Sequence, residues 1–488
     1  MRREEQIIKE REKKIDELKK LRINLYSHKY EIKNYASEIK NKYLKLKPEQ
    51  RTKNNVSLAG RIMVIRDIGK IIFATLQDST GKIQLVFQEK ETLKKEFDFF
   101  KKFIDVGDII GVKGIVFRTK RGELSILVSK IELLTKSLMP LPEKWHGLKG
   151  KEDRYRKRYL DLIMNPEVKA VFLKRSEIIS AIREFLVKNG YVEVETPILQ
   201  PIYGGTNARP FETRLEALKM KLYLRISNEL YLKRLLVGSY DKIFEFSPDF
   251  RNEGIDRLHN PEFLQMETMW AYANYKDNMK FFEDMLKYIT KKVLGTTKIE
   301  YQGTKIDLGK WKRMSFLEAL KKYTGEDFNV DEKESRKKAL KLKVDVSDCE
   351  NYGEILNKVF EEKVEKHLIQ PTIIYDYPSS ISGLAKINEE DKRFAERFEP
   401  FTNGWEIGNS YSEENDPKRI EEYWKKSEIA FRKGKIEEQR LDKDFIQALK
   451  YGMPPASGLG IGIDRLVMLL TNSPSIRDVI FFPFMKQK

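Results

Sequence analysis

The chain has 488 residues, 34% charged and 40% hydrophobic, which suits a folded protein with a small and a large domain and excludes a disordered or fibrous one. Its 93 Lys and Arg against 75 Asp and Glu give a net charge of +18, which attracts polyanions such as nucleic acid, although a lysine-rich proteome gives the same excess. One cysteine excludes an internal disulfide, and we expect no membrane span, no signal peptide and a cytoplasmic protein.

The first segment, residues 1–55, is basic, and its apolar residues Ile8, Ile15 and Leu18 recur at helical spacing. This spacing predicts an amphipathic helical extension with a basic outer face. Two interpretations remain open for it. The helix packs on the next domain with a solvated face, or it serves as a non-specific clamp on RNA phosphates.

Residues 56–138 contain five short segments rich in β-branched and aromatic residues, with turn residues between them and one helical interruption at 91–103. This pattern predicts a five-stranded β-barrel of the oligonucleotide-binding (OB) type. Such barrels stack single-stranded bases on aromatic rings in a positive groove. Phe73, Phe87 and Phe117 are candidate stacking residues, and burial in the barrel core is the alternative for each.

A linker at 139–167, which begins with two closely spaced prolines, leads into a large domain at 168–488. Its first helix is predicted at 168–190, ending at an Asn-Gly pair, and a strand follows that stops at Pro197. We expect several strands and one helix over 210–275 and a mainly helical insertion around 276–370. A final glycine-rich strand then enters a helix at 458–470.

The densest group of candidate site residues is the segment 250–267, which reads Phe-Arg-Asn-Glu-Gly, then His-Asn-Pro-Glu-Phe, then Glu267. A strand, a charged turn and a returning strand place Arg251 and Glu253 beside a ligand. Phe263 and Glu267 then face the same cavity. An arginine binds phosphate or carboxylate through two parallel hydrogen bonds, and a phenylalanine ring offers a base a stacking surface. One Arg–Glu pair is more often a structural salt bridge, but the whole segment is far more specific.

A second group of acidic residues follows between 399 and 413. Glu399 and Glu406 form a carboxylate pair of the kind that bridges Mg²⁺ to phosphate oxygens. Strand alternation places Asn409, Tyr411 and Glu413 on one face. A buried carboxylate there needs a cationic partner, which a ligand ammonium supplies.

A third group is the glycine-rich segment 458–465, which ends in Asp-Arg. Its spacing is GxGxGxDR and not the GxGxxG of a dinucleotide site, and the downstream acidic residue of such sites is missing. We therefore reject a hydride-transfer function. Arg465 opens the following helix and is a further candidate site residue.

These segments together resemble class II aminoacyl-tRNA synthetases. Pro197 is similar to the proline of motif 1, the segment 250–267 to motif 2, and the segment 458–465 to motif 3. The flanking segments YGGTNARPF, LYLRISNELYLKRLLVG and IGNSYSEENDP resemble the lysyl branch in particular, which shares a subclass with the aspartyl and asparaginyl enzymes. The resemblance runs from about residue 56 to the last residue given.

The resemblance implies an α+β protein in which the barrel precedes an antiparallel six-stranded sheet flanked by helices, and a homodimer. It implies that ATP and Mg²⁺ activate L-lysine to lysyl-adenylate, with release of pyrophosphate, and that the lysyl group passes to the 3′ end of tRNA(Lys). The implied ATP-binding residues are Arg251, Glu253, His259, Asn260, Phe263 and Arg465, with Arg251, Glu253 and Arg465 as the catalytic ones. The implied lysine-binding residues are Gly205, Glu229, Arg251, Glu267, Asn409, Tyr411 and Glu413, with Glu413 at the ε-ammonium. Glu399 and Glu406 are implied for Mg²⁺, and Phe73, Gln84 and Glu123 for the anticodon.

One residue departs from the lysyl pattern. Met269 stands where that branch usually has a tyrosine that touches the substrate side chain. Because a thioether cannot donate a hydrogen bond, we expect either a looser pocket or help from the hydroxyl of Tyr411.

Three other functions compete with the lysyl enzyme. An asparaginyl or aspartyl enzyme shares the barrel and motifs, but Glu413 repels a carboxylate substrate. A lysyl-modifier of proteins lacks the barrel. A pure RNA-binding module has no need of Arg251, Glu399, Glu406 and Arg465 together.

Overall fold

The computed structural model describes residues 3–142, 148, 150–432 and 440–486, and the chain divides into two compact units, Met1–Lys149 and Gly150–Lys488. The division falls within the predicted linker, of which residues 143–147 and 149 lie outside the described part. Among the helices described, none combines the length and apolar character that crossing a membrane requires.

The N-terminal segment folds onto the first unit as two helices, α1 (Arg3–Lys20) and α2 (Ala36–Lys42). Ile15 and Leu18 of α1 are buried in the core of this unit. The Arg11 guanidinium donates to the carbonyl oxygens of Ser137 at 3.0 Å and Val106 at 2.7 Å. α1 is therefore a packed helix, which is the first of the two interpretations.

The core of the first unit is a closed β-barrel. Its strands in the described residues are β1 (Arg51–Asp67), β2 (Ile71–Gln77), β3 (Lys82–Gln88), β4 (Ile109–Arg118) and β5 (Leu124–Thr135). They join in the order β1-β2-β3-β5-β4, and α3 (Lys94–Phe103) covers the barrel with Phe100 stacked on Phe87 at 4.0 Å between ring centroids. The predicted OB-type barrel is confirmed. Phe87 and Phe117 are buried, whereas Phe73 is partly exposed, so Phe73 alone of the three candidates keeps a ring surface for a base.

The described part of the second unit contains one large sheet and two small ones. Its strands are β6 (Val192–Glu193), β7 (Leu199–Gln200), β8 (Glu212–Leu215), β9 (Met220–Leu224), β10 (Lys242–Phe250), β11 (Glu262–Ala271), β12 (Lys298–Tyr301), β13 (Thr304–Asp307), β14 (Lys312–Ser315), β15 (Thr372–Pro378), β16 (Phe394–Thr402), β17 (Trp405–Glu406), β18 (Gly408–Ser412) and β19 (Ala456–Gly462). Nine of those described form the large sheet, in the order β14-β15-β16-β18-β19-β11-β10-β6, with β17 paired to β16.

The six central strands, in the order β15-β16-β18-β19-β11-β10, pair with one another in antiparallel fashion. This confirms the predicted antiparallel core of the sheet. The described sheet is larger than the six strands expected, because β14 and β6 add parallel pairs at its two edges and β17 extends β16. β6 and β17 have two residues each and β14 has four, too few for a periodic signal in the sequence.

Helices cover the sheet. Those described are α4 (Lys151–Arg156), α5 (Arg158–Met164), α6 (Pro166–Lys188), α7 (Glu229–Val237), α8 (Tyr275–Leu294), α9 (Phe316–Thr324), α10 (Glu332–Lys341), α11 (Tyr352–Lys363), α12 (Pro417–Arg432), α13 (Lys443–Lys450), α14 (Ile463–Leu470) and α15 (Ile476–Val479). Short 3₁₀ turns lie at Glu216–Leu218, Glu365–His367 and Ser379–Ile381.

Two helices bear on the sequence expectations: α6 ends where its sequence predicts, and α8 differs from its predicted role. α6 begins with a proline at its first turn and ends at Asn189-Gly190, where Gly190 has φ +82°, as the Asn-Gly pair predicts. α8 opens the segment predicted as an insertion, but Phe282, Met285 and Leu286 of α8 are buried in the core of the large sheet. The separate hydrophobic cluster of this segment starts only at α9.

Candidate active site

A cavity of about 330 Å³ opens over the antiparallel strands of the second unit. The strands β11, β16, β17, β18 and β19, the first turns of α7 and α14 and the loop after β10 bring their residues to it from distant parts of the sequence. Every residue that the sequence assigned to ATP, lysine or Mg²⁺ lines this cavity: Gly205, Glu229, Arg251, Glu253, His259, Asn260, Phe263, Glu267, Glu399, Glu406, Asn409, Tyr411, Glu413 and Arg465.

The hairpin of β10 and β11 brings Arg251 and Phe263 together. Asp249 is paired with Phe263 in the ladder, and the backbone N–H of Arg251 donates to the carbonyl of Pro261 at 2.9 Å. The Arg251 guanidinium carbon then lies 5.0 Å from the centroid of the Phe263 ring. One cation and one aromatic face are thus presented to the same space, which suits a phosphate beside a base.

A second cation enters the cavity from the start of α14. The Arg465 guanidinium donates to the side chain and the carbonyl of Glu406, both at 2.9 Å. Its other terminal nitrogen lies 3.0 Å from Nε2 of His259, whose Nδ1 is 2.8 Å from Asp256. Glu406 and His259 therefore fix the direction of Arg465, with the imidazole in turn held by Asp256.

Two polar residues of the same hairpin are available to a ligand. Glu253 is exposed at the cavity. Asn260 is 6% exposed and donates from its amide nitrogen to the carbonyl of Glu262 at 2.6 Å. Its amide oxygen is buried and accepts no hydrogen bond from the described residues, so it offers an acceptor to a bound molecule.

Glu399 and Glu406 place two carboxylates at one side of the cavity. Glu399 accepts hydrogen bonds from Tyr377 at 2.8 Å and Arg397 at 2.5 Å. Burial raises the pKa of Glu406; Arg465 opposes this and Glu399 adds to it. Glu365 lies near both, and burial together with neighbouring carboxylates raises its pKa to about 7.

Glu399 and Glu406 fit Mg²⁺ only if a bound substrate and water supply the remaining oxygen ligands. The described residues contain no group of three or more His, Cys, Asp or Glu side chains placed to hold a metal. Mg²⁺ is commonly held by one or two carboxylates, with substrate phosphates and water completing its octahedron. The donor chemistry of Glu399 and Glu406 meets that requirement.

The opposite end of the cavity is acidic and almost closed to solvent. Glu413 is 1% exposed, and its Oε2 forms an ion pair with Nζ of Lys233 at 2.6 Å. The same Nζ lies 2.5 Å from Oε1 of Glu229. Burial raises the pKa of Glu413 to about 8, although Lys233 acts in the opposite direction. The backbone of Gly458 hydrogen-bonds to the same carboxylate and also acts to lower its pKa.

Tyr411 lies beside this acidic end. Its ring centroid is 5.4 Å from Nζ of Lys233. Burial raises the pKa of Tyr411 well above its ordinary value; Glu229 and Glu413 add to the shift, and Glu229 also accepts from the phenol. Met269, the departure from the lysyl pattern, is 2% exposed and contributes no donor. The Tyr411 hydroxyl is thus engaged at Glu229.

Between the two ends of the cavity, Gly205 packs closely against Ser227 and Glu229, where a side chain would not fit. Gly205 has φ +93°, and a Cβ there would lie 2.8 Å from Oγ of Ser227 and 3.2 Å from Cβ of Glu229. Ser227 donates to Glu267 at 3.3 Å, and Gln265 donates to the same carboxylate at 2.6 Å. Burial raises the pKa of Glu267 well above its ordinary value, with nearby carboxylates adding to the shift.

Sequence reasoning missed two charged residues of the site. Lys233 lies four positions after Glu229 on α7, a spacing at which helix side chains meet. Arg397 lies two positions before Glu399 on β16, hence on the same face, and its Nε donates to Asn409 at 3.1 Å. Both spacings can be seen in the sequence. The contacts of Lys233 with Glu413 and of Arg397 with Asn409 cannot, because they join distant segments.

The three candidate anticodon residues lie in the first unit. Phe73 and Thr75 of β2 pair with Val86 and Gln84 of β3. Because side chains alternate between the two faces of a strand, Phe73 and Gln84 lie on the same, outer face of the barrel. Gln84 donates to Ser125 at 2.9 Å, and Glu123 is exposed just before β5. An aromatic ring and an amide therefore share one face of the barrel, and a carboxylate lies exposed near the start of β5.

Comparison with known proteins agrees with both units. Residues 150–486 match the family described as tRNA synthetases class II (D, K and N), and residues 56–134 match the OB-fold nucleic acid binding domain. A protein of Carboxydothermus hydrogenoformans named lysine–tRNA ligase is 50% identical over 99% of this chain and 98% of its own length. The chain belongs to the lysine–tRNA ligase family.

Further relatives of that name come from distant organisms. The protein of Methanoculleus marisnigri is 49% identical over 97% of this chain and 94% of its own length. That of Halalkalibacterium halodurans is 48% identical over 98% and 96%. The class II family and the lysyl branch predicted from the motifs are confirmed, and this lysine–tRNA ligase family member matches its relatives over nearly their full length.

Proposed function

We propose that this protein joins L-lysine to tRNA(Lys) in two steps. The carboxylate of lysine attacks the α-phosphorus of ATP, which forms lysyl-adenylate and releases pyrophosphate. A ribose hydroxyl at the 3′ end of tRNA(Lys) then attacks the lysyl carbonyl and releases AMP. The observation that carries this proposal is one cavity that has arginines at one end and the buried carboxylate of Glu413 at the other.

The nucleotide is assigned to the arginine end. Phe263 and Arg465 offer two faces between which an adenine ring stacks, and Glu253 accepts from its amino group. Arg251 neutralises the charge that grows on the α-phosphate, and Arg465 with His259 faces the terminal phosphate. No protein nucleophile is required, so catalysis consists of positioning and charge neutralisation.

Glu399 and Glu406 are the residues that would hold Mg²⁺. When bound, the ion neutralises phosphate charge and orients pyrophosphate as the leaving group. The arginines beside both carboxylates keep the two side chains in place: Arg397 at Glu399 and Arg465 at Glu406.

Lysine is assigned to the acidic end. Its α-amino group lies beside Glu229 and the open space at Gly205, with Asn409 and Glu267 nearby, and its ε-ammonium pairs with Glu413. An aspartate or asparagine side chain supplies no ammonium to the buried Glu413 and Glu229 carboxylates, which are then left with Lys233 as a shared cationic partner, and an aspartate adds a repelling charge. The related aspartyl and asparaginyl activities are therefore disfavoured.

The remaining assignments concern the whole assembly. The anticodon is assigned to Phe73, Gln84 and Glu123, with a base stacked on Phe73. We further infer a homodimer in the cytoplasm, a basic extension at 1–55, a barrel at 56–138, a linker at 139–167 and a catalytic domain at 168–488.

The test is lysine-dependent ATP–pyrophosphate exchange by the full-length protein, with asparagine, aspartate, ornithine and arginine in parallel. We expect exchange with lysine and a KM for lysine at least about tenfold higher in E413Q. The matched control is E414Q, since Glu414 is also buried and ion-paired, to Arg419 at 3.1 Å, but does not line the cavity. Exchange with none of the amino acids, or equal KM values in E413Q and E414Q, contradicts the proposal.

A further inference from the structure

A lysine of the protein itself lies against the acidic end of this cavity, ion-paired to two of the lining carboxylates. Lys233 projects from α7 with its side chain 1% exposed. Burial lowers the pKa of Lys233, but Glu229 and Glu413 outweigh it and the net shift is upward. Lys233 therefore stays charged at neutral pH, and it is a resident ammonium at the point where a substrate ammonium is expected.

Lys233 makes the two oxygens of Glu413 unequal. Its Nζ lies 2.6 Å from Oε2, whereas Oε1 lies beside Gly458, whose backbone hydrogen-bonds to the carboxylate. Space beside Oε1 is kept by Gly458, where a Cβ would lie 2.3 Å from that oxygen and 3.1 Å from the sulfur of Met269. The substrate pocket thus ends in one carboxylate oxygen that is outside the ion pair with Lys233.

One carboxylate oxygen suits an ammonium better than a guanidinium. An ammonium is a compact point charge that a single acceptor can hold, whereas a guanidinium is planar and pairs best with both oxygens of a carboxylate. With Oε2 already bound, a guanidinium reaches only Oε1 and brings its second nitrogen toward the charged Lys233. We propose that Lys233 is a specificity-determining residue that excludes arginine from the lysine pocket by occupying one oxygen of Glu413.

This inference rests on the proposed placement of the substrate ε-ammonium at Glu413. The competing explanation is that Lys233 only stabilises the fold, as buried ion pairs on a helix often do. A purely structural role lowers the free energy of unfolding when Lys233 is replaced, but leaves the preference for lysine over arginine unchanged. The two explanations therefore differ in the substrate ratio.

The experiment compares K233M with R234M in the full-length protein. Arg234 is the next residue of α7 and is also ion-paired, to Asp442 at 2.8 Å and Asp444 at 3.0 Å, but neither of these partners lines the cavity, unlike the two carboxylates that Lys233 contacts. ATP–pyrophosphate exchange is measured with lysine and with arginine, and thermal unfolding is followed in parallel. We expect the kcat/KM ratio of lysine to arginine to fall at least about tenfold in K233M and less than about twofold in R234M. An unchanged ratio in folded K233M overturns the proposal.

A second variant decides the matter if K233M does not fold. K233R keeps a cation on α7, so a purely structural role predicts a near-normal KM for lysine. Under the proposal, the guanidinium at residue 233 takes both oxygens of Glu413 and raises that KM at least about tenfold, with less effect on kcat. A normal KM for lysine in K233R refutes the proposal.

The variant E413Q distinguishes a failure of the proposed ε-ammonium site at Glu413 from a failure of the proposed role of Lys233. If E413Q raises the KM for lysine but the Lys233 variants behave like R234M, the pocket assignment stands and the role of Lys233 falls. If E413Q leaves that KM unchanged, the placement of the ε-ammonium is wrong, and the role of Lys233 falls with it.

Discussion

Lysine binding is expected to depend steeply on pH, because Glu413 must be ionised to hold an ammonium. Burial raises the pKa of Glu413 to about 8 in the free enzyme. The ionised fraction is then roughly 0.01 at pH 6, 0.09 at pH 7 and 0.5 at pH 8. Since lysine binds the ionised form, its KM falls about ninefold from pH 6 to 7, about fivefold from pH 7 to 8, and less above that.

The groups that face Glu413 decide whether this titration can be observed. Lys233 and Tyr411 have raised pKa values, so neither changes charge between pH 6 and 8. Glu267 has a raised pKa as well, through burial and then through Asp249 and Glu229. A second carboxylate of the cavity can therefore add to the slope, and a variant is needed to separate the two.

The assay is ATP–pyrophosphate exchange with lysine varied at each half pH unit from 6 to 8.5 and ATP held at saturation. E413Q is expected to lose most of the slope and to show a high KM throughout, because a glutamine cannot ionise. E414Q, whose side chain lies outside the cavity, keeps the slope. A wild-type KM that changes less than about twofold from pH 6 to 8, or an E413Q slope equal to the wild type, refutes the reasoning.

Three further changes test other parts of the site. G458A places a Cβ 2.3 Å from Oε1 of Glu413 and is expected to raise the KM for lysine at least about tenfold with little change for ATP; a KM for lysine within twofold of wild type contradicts this. Removal of Mg²⁺ with a chelator is expected to abolish exchange, and E406Q to raise the Mg²⁺ concentration for half-maximal exchange about tenfold; an unchanged Mg²⁺ requirement counts against Glu406 as a ligand. F73A is expected to lower kcat/KM for tRNA about tenfold in aminoacylation while exchange stays normal; equal loss in both assays indicates misfolding and not lost base stacking.

The sequence predicted the members of the candidate site better than their arrangement. Segments 250–267 and 458–465 are continuous, so Arg251, Phe263 and Arg465 could be recognised from neighbours in the chain. The cavity brings all of them together. The antiparallel core of the sheet and the barrel were predictable for the same reason, since each long strand carries its own periodic pattern.

What the sequence could not supply is pairing between distant segments. The ion pair of Lys233 with Glu413 joins residues 180 positions apart and exists because α7 packs on β11, which is linked through β19 to β18 just before Glu413. Phe87 was a candidate for base stacking because composition cannot distinguish the inner face of a barrel from the outer one; the structure places it against Phe100. Pairing and face are set by tertiary structure, which local patterns do not encode.

A count of charges shows why the pocket needs its own lysine. With every group ionised, Glu229 and Glu413 contribute two negative charges at the acidic end, and Lys233, which contacts both, contributes one positive charge. The difference is one negative charge, which the net single positive charge of a bound lysine neutralises; without Lys233 the complex keeps an uncompensated buried charge. Arginine carries the same net charge as lysine, so charge alone cannot exclude it. Discrimination between the two must therefore come from geometry, and the geometry in question is the ion pair of Lys233 with one oxygen of Glu413.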